Sequence, residues 1–180
     1  MARMGLFRRL WLTRLSQPAG ERAVYRHVLA KRPRRVIELG LGMLVRTERL
    51  LTELGGVDPP VEYVGLDRFE SRGISDPPGV SLKEAHRRLH SLARVQLVPG
   101  NVDTSLARLC NHLGVFDLVL VSASTDERHL ERSWFFVQRI ISATTTVFVE
   151  SRSAGPTAWS VLPKARIDEL AARTTVRRAG

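Results

Sequence analysis

Short apolar runs alternate with segments of helical period along most of this 180-residue chain. "RVIEL" (35–39), "VEYVGLD" (61–67), "VQLVP" (95–99), "FDLVLVSA" (116–123) and "TTVFVES" (145–151) are dense in Val, Ile and Leu and read as buried strands. Between them, "LVRTERLLTEL", "SLKEAHRRLHSLA", "DTSLARLCNHL" and "DERHLERSWFFVQRII" place apolar residues at three- and four-residue steps and predict helices. Ser81 and Glu84 have the spacing of a capping box, with Leu82, Ala85, Leu89 and Leu92 as the buried stripe. Gly55–Gly56 and Gly114 mark helix ends. The tail predicts one more helix, "KARIDELAAR", and a last strand, "TTVRR". Strands alternating with helices give an α/β fold with a doubly wound, mostly parallel sheet and helices on both faces.

Ahead of the first strand the pattern changes. Phe7, Leu10, Trp11 and Leu15 form an apolar stripe flanked by Arg8, Arg9 and Arg14, which predicts a basic amphipathic helix packed on its own domain or on a partner chain. Pro18 suits a first helical turn, and Ala23, Val24, His27 and Val28 predict a second helix ending near "KRPRR". The expected organisation is therefore a helical segment over residues 1–33 and an α/β domain over residues 34–180.

In such sheets ligands bind beyond the carboxyl ends of the strands, near the switch in strand order. The first strand ends in Glu38-Leu-Gly40-Leu-Gly42, either a nucleotide-binding turn or a tight corner that contains two glycines. A dinucleotide fingerprint needs a third glycine at Val45, and a phosphate-binding loop needs G-K-[ST]; both are missing. An acid two residues before the first glycine is a different pattern. With it the chain resembles the class I S-adenosylmethionine-dependent methyltransferases, from about Arg35 to Ser151. "VIELGLG" matches their first motif, and Asp67, 27 residues after Gly40, stands where an acid holds the ribose. Gly100-Asn101-Val102 stands where the adenine is flanked, with Asn101 in place of the usual acid, and "FDLVLV" matches the start of their fourth strand.

The resemblance implies a Rossmann-like fold and S-adenosylmethionine as cofactor. Glu38, Gly40, Gly42 and Thr47 would frame its methionine part, Asp67 its ribose, and Asn101 and Val102 its adenine, with Ser122 at the end of strand four. Two departures stand out. Leu44 occupies a position where members carry another glycine, and would either crowd the methionine tail or pack beneath the helix. Ser122-Ala123-Ser124 replaces the aspartate of the metal-dependent O-methyltransferases, so a metal site of that type is not supported. No catalytic residue is identified. Asp126, Glu127 and His129 lie near the expected cleft mouth, and Asp126 reads as a helix cap; Glu150 either faces substrate or ends a strand.

Charge and cysteine content refine this. The net charge is +10, with only three lysines (Lys31, Lys83, Lys164) among 28 basic residues. The arginines are spread along the chain without interleaved aromatics, which disfavours a nucleic-acid surface. His86 and His90 have metal-ligand spacing but no third ligand. A single cysteine, Cys110 among apolar neighbours, fits a reducing cytoplasm, and no run is long enough to span a membrane. A signal peptide is not expected, because Arg14 cuts the first apolar run. The expected function is methyl transfer to a small molecule, with a homodimer left open. The alternatives are an inactive scaffold on the same fold and a basic RNA-binding protein.

Overall fold

Alternation along each strand sends one set of side chains to each face of a central sheet. A computed structural model describes residues 10–151 and 158–179, with side chains as far as Thr174. The strands are β1 (Arg35–Leu39), β2 (Glu62–Asp67), β3 (Arg94–Pro99), β4 (Leu118–Val121), β5 (Thr146–Glu150) and β6 (Trp159–Val161). Their spatial order is β3-β2-β1-β4-β5-β6, parallel throughout except for β6, which runs antiparallel to β5. The order reverses between β1 and β4, so the switch point lies directly beyond the glycine turn.

On one face, Val36, Tyr63, Leu118 and Phe148 meet helices α1 (Arg22–Lys31), α2 (Val45–Leu54) and α3 (Leu82–Leu89) through Val24, Val28, Leu50, Leu54 and Leu89. On the other, Ile37, Val64, Val119 and Val147 meet α4 (Val102–Leu113), α5 (Glu127–Val137) and α6 (Lys164–Ala179) through Leu106, Cys110, Trp134 and Ile167. Cys110 is buried there as a small apolar side chain. Ser81 caps α3 by accepting the Glu84 N–H at 3.1 Å. The Glu84 carboxylate turns to Arg87 instead of completing the box. His86 and His90 stack on each other on the exposed side of that helix.

Two expectations are corrected. "TTVRR" continues α6 instead of forming a strand; the Thr174 hydroxyl donates to the Leu170 and Glu131 carbonyls, holding the helix against α5. The last strand is β6, whose three residues are too few to show a period. Near the N-terminus the helical turn Trp11–Leu15 buries Leu12, while Leu10, Trp11 and Leu15 of the expected stripe stay exposed. Phe7, Arg8 and Arg9 lie outside the described residues. No helix among the described residues is long and apolar enough to cross a membrane.

Candidate functional site

The chain leaves β1 through two glycines in left-handed conformation, Gly40 (φ 85°) and Gly42 (φ 57°). A Cβ on Gly40 would stand 2.6 Å from Thr125 Oγ1 and 2.8 Å from Ser124 Oγ, so the turn is packed tightly under the loop after β4. A Cβ on Gly42 would meet nothing within 4 Å, so its backbone is open to the space above. Leu44, also left-handed (φ 67°), heads α2 with its side chain 1% exposed in the core beside Leu41 and Leu50. Burying a leucine contributes about 1.5–3 kcal/mol, which offsets the roughly 1–2 kcal/mol cost of that backbone. Leu44 therefore packs beneath the helix and leaves the turn uncrowded.

Glu38 is fully buried and every oxygen is engaged. Thr47 Oγ1 and Tyr63 Oη each donate to Oε2 at 2.8 Å, and the Arg46 guanidinium donates to Oε1 through Nε and Nη2. Thr47 is itself fully buried, so it supports Glu38 and lines neither of the two clefts above it. Arg46 stacks 4.4 Å from the centre of the Trp159 ring and lies 3.9 Å from Glu150 Oε2. Burial works against its charge, but Glu38 first, then Glu150 and Glu21, more than restore it and hold its proton tightly.

Asp67 closes β2 and gathers the turn. Its Oδ2 accepts the N–H groups of Leu41 (2.7 Å) and Gly42 (3.3 Å), and Oδ1 accepts that of Phe69 (2.8 Å). Arg72 Nη2 donates to both oxygens, at 2.6 and 2.5 Å, and Nη1 reaches the Pro77 carbonyl. The loop carrying Arg72 is braced by an Arg68–Asp76 ion pair at 2.8 Å and by the Val80 N–H on the Gly42 carbonyl. Thus a loop side chain covers the carboxylate that the sequence assigns to a ribose.

Two adjoining clefts open at this edge. The first, about 250 Å³, is lined by Gly40, Asp67, Arg72, Asn101, Val102 and His129, among others. Asn101 heads α4 without using its side chain as a cap. His129 Nδ1 pairs with Asp103 Oδ1 at 2.9 Å, and Asp126 accepts the His129 N–H as the helix cap, which lowers the Asp126 pKa. The second, about 390 Å³, is lined by Gly42, Met43, Arg46, Ser122, Glu150 and Glu21. Pro77, Ala123 and Ser124 border both clefts. Glu150 Oε2 accepts from Ser122 Oγ and the Ala123 N–H, each at 2.8 Å, so it belongs to the site rather than simply ending a strand.

Of the residues singled out by sequence, Gly40, Asp67, Asn101 and Val102 meet in the first cleft and Gly42 and Ser122 in the second; Glu38 and Thr47 lie beneath. The "FD" landmark lies elsewhere: Asp117 accepts the N–H groups of Arg34 and Arg35, bracing the opposite end of β1. Arg46, Arg72 and Glu21 were not anticipated. Arg46 carried one signal, a cation in the first turn of a helix, where the dipole disfavours it.

No protein-family model and no curated protein matches the chain. Solved structures do. The O-methyltransferase TomG from Streptomyces achromogenes, involved in tomaymycin synthesis and crystallised with S-adenosylmethionine, superposes with a TM-score of 0.57 at 16% identity, covering 93% of this chain and 70% of that one. An O-methyltransferase from Bacillus cereus in complex with S-adenosylhomocysteine gives 0.58 at 16% identity, covering 93% and 71%. An S-adenosylhomocysteine-bound methyltransferase from Podospora anserina gives 0.51 at 18% identity, covering 79% and 59%. The chain has the Rossmann-like fold of the class I S-adenosylmethionine-dependent methyltransferases.

Proposed function

We propose that this protein is an S-adenosylmethionine-dependent methyltransferase acting on a small molecule. One observation carries the reading. The open Gly42 backbone, Asp67 and the Gly100–Asn101–Val102 corner converge on two adjoining clefts at the switch point, in the order the cofactor's parts require. The residues fit such a group. Asn101 and Val102 would flank the adenine, Asp67 would accept the ribose hydroxyls once Arg72 swings aside, and Gly40, Gly42 and Ser122 would border the methionine part. Glu38 and Thr47 would act from below by fixing the start of α2.

When bound, the cofactor supplies a methyl group on a positively charged sulfur, so that positioning of the acceptor provides much of the rate. The relation to O-methyltransferases, one of them serving tomaymycin synthesis, supports a small-molecule acceptor. On this reading the segment ahead of β1 packs on the α/β domain over residues 34–180 through α1, and the single cysteine suits a cytoplasmic enzyme.

The test is a calorimetric titration of the purified protein with S-adenosylhomocysteine, alongside Asp67→Ala. Micromolar binding that the variant loses is expected. A parallel melt should show stabilisation of roughly 2.7 kcal/mol at 100 times the dissociation constant. A folded wild type that ignores millimolar ligand would make the glycines a structural corner and the chain a scaffold.

A further inference from the structure

The second cleft carries charged groups beyond the Gly42 and Ser122 that would border the cofactor's methionine part. Two carboxylates line it from different elements, Glu21 at the start of α1 and Glu150 at the end of β5. Each has one oxygen tied down, Glu21 Oε2 by the Tyr25 hydroxyl at 2.8 Å and Glu150 Oε2 by Ser122 and Ala123. Glu21 is only 6% exposed.

Cations near them are largely committed elsewhere. Arg46 spends Nε and Nη2 on the buried Glu38 and approaches Glu150 no closer than 3.9 Å. Arg49 donates to the Gln17 carbonyl and stands 3.8 Å from Glu21. Among its lining residues Glu21 and Glu150 stand against Arg46 alone, so the pocket is one positive charge short, in a chain whose net charge is +10. Along the rim, Met43 and Val45 are half exposed, an apolar surface beside the acids.

We propose that the part of this second cleft lined by Glu21, Met43, Val45 and Glu150 is the acceptor site, and that it takes a small organic cation, a protonated amine on an apolar body, held between Glu21 and Glu150. The identification as an acceptor site rests on the methyl-transfer function proposed above. The ammonium is the anchor: it supplies the missing charge and gives each carboxylate a donor. The apolar body leans on Met43 and Val45, and the atom presented for methylation lies toward Ala123 and Ser124, where the two clefts meet. Burial raises the Glu21 pKa, and the Tyr25 hydroxyl and the Arg46 and Arg49 charges offset only part of that rise, to which Glu150 adds.

The experiment uses three probes of one shape, 2-phenylethylamine, 2-phenylethanol and phenylacetate, titrated into the whole protein and followed by calorimetry and by NMR. The amine should bind about tenfold or more tightly than the alcohol, and phenylacetate should not bind. Glu150→Gln and Glu21→Gln should each weaken the amine about tenfold and leave the alcohol unchanged, the alcohol serving as the check that the variants keep the cleft intact. Equal binding of amine and alcohol, preference for phenylacetate, or variants that bind the amine as wild type does would each overturn the proposal. So would competition between the amine and S-adenosylhomocysteine, which would hand the carboxylates to the methionine tail. Binding of S-adenosylhomocysteine is scored separately. If it binds and the amine does not, the acceptor proposal falls alone. If only the amine binds, the methyl-transfer reading falls, and with it the acceptor assignment, leaving an amine site.

Discussion

Glu38 and Asp67 lie near the carboxyl ends of neighbouring parallel strands, and in both the carboxylate is saturated with donors, yet the donors differ in kind. Around Glu38 they are Arg46, Thr47 and Tyr63, side chains rooted in α2 and β2 and almost wholly buried. Around Asp67, three are backbone N–H groups, Leu41 and Gly42 of the glycine turn and Phe69 just after β2, and the remaining donor is Arg72 on a surface loop. The first arrangement cannot open without disturbing the core. The second opens by the movement of one side chain, and the backbone amides keep the charge of Asp67 compensated when it does. Two acids that look alike in a motif therefore serve different ends. One fixes the start of α2 beneath the cleft, and the other is held ready at its wall.

The largest test of that contrast is Glu38→Ala. It leaves the Arg46 guanidinium buried without its main counter-charge and strips Tyr63 and Thr47 of their acceptor. Breaking a buried ion pair from one side costs about 3–5 kcal/mol. For a chain of this size that lowers the melting temperature by on the order of 10 °C. Differential scanning calorimetry reads the change directly. A variant within about 1 kcal/mol of wild type would show that Glu38 is no structural hub, and the contrast with Asp67 would collapse.

Arg72→Ala probes the other side. Arg72 Nε is buried without a hydrogen-bond partner among the described residues, so its present position already carries a desolvation penalty. Asp67 keeps the Leu41, Gly42 and Phe69 amides in the variant, so the stability loss should stay near 1–2 kcal/mol. Affinity for S-adenosylhomocysteine should rise about tenfold, because the ribose no longer has to displace a guanidinium. Unchanged affinity would mean that Arg72 and the ribose do not compete. A large loss would mean that the arginine contributes to the ligand site itself.

How much of this the sequence reveals follows from the range of each interaction. The five parallel strands and their helices are local patterns of two- and four-residue period, and they emerge with boundaries close to those observed. The glycine turn, Asp67 and the Asn101 corner are legible too, because each sits at a strand end. β6 is not, since three residues cannot show alternation, and "TTVRR" misleads because β-branched residues favour strands until a tertiary contact such as Thr174 to Glu131 decides for helix. The charge partners are hidden for a different reason. Glu150 bonds to Ser122 across 28 positions, and Glu21 reaches the cleft only because α1 packs against the sheet. At the start of a helix Glu21 looks like an ordinary acid answering the dipole. Its real partner, the Tyr25 hydroxyl one turn on, is visible only once both are buried.

Glu21 lies between the two extremes, half committed to protein and half open to the cleft, and its expected effect is the smallest of the three. Burial raises its pKa above the ordinary value of 4.5; the Tyr25 hydroxyl and the Arg46 and Arg49 charges pull it back, and Glu150 pushes it up again. The folded chain thus holds this proton more tightly than the unfolded one. A raised pKa contributes stability that is fully present below the unfolded value and is lost as pH rises through the folded value. Glu21→Gln removes the titration. The variant should match wild type at about pH 4, gain on it as the pH climbs past 4.5, and hold a constant advantage once wild-type Glu21 is ionised. Urea unfolding of both proteins at half-unit steps from about pH 4 to 8 measures the difference curve. A flat curve would mean that Glu21 is as well solvated as an ordinary surface acid. A curve of opposite sign would mean that Arg46 and Arg49 already neutralise it, and the cleft would then have no charge left to offer an amine.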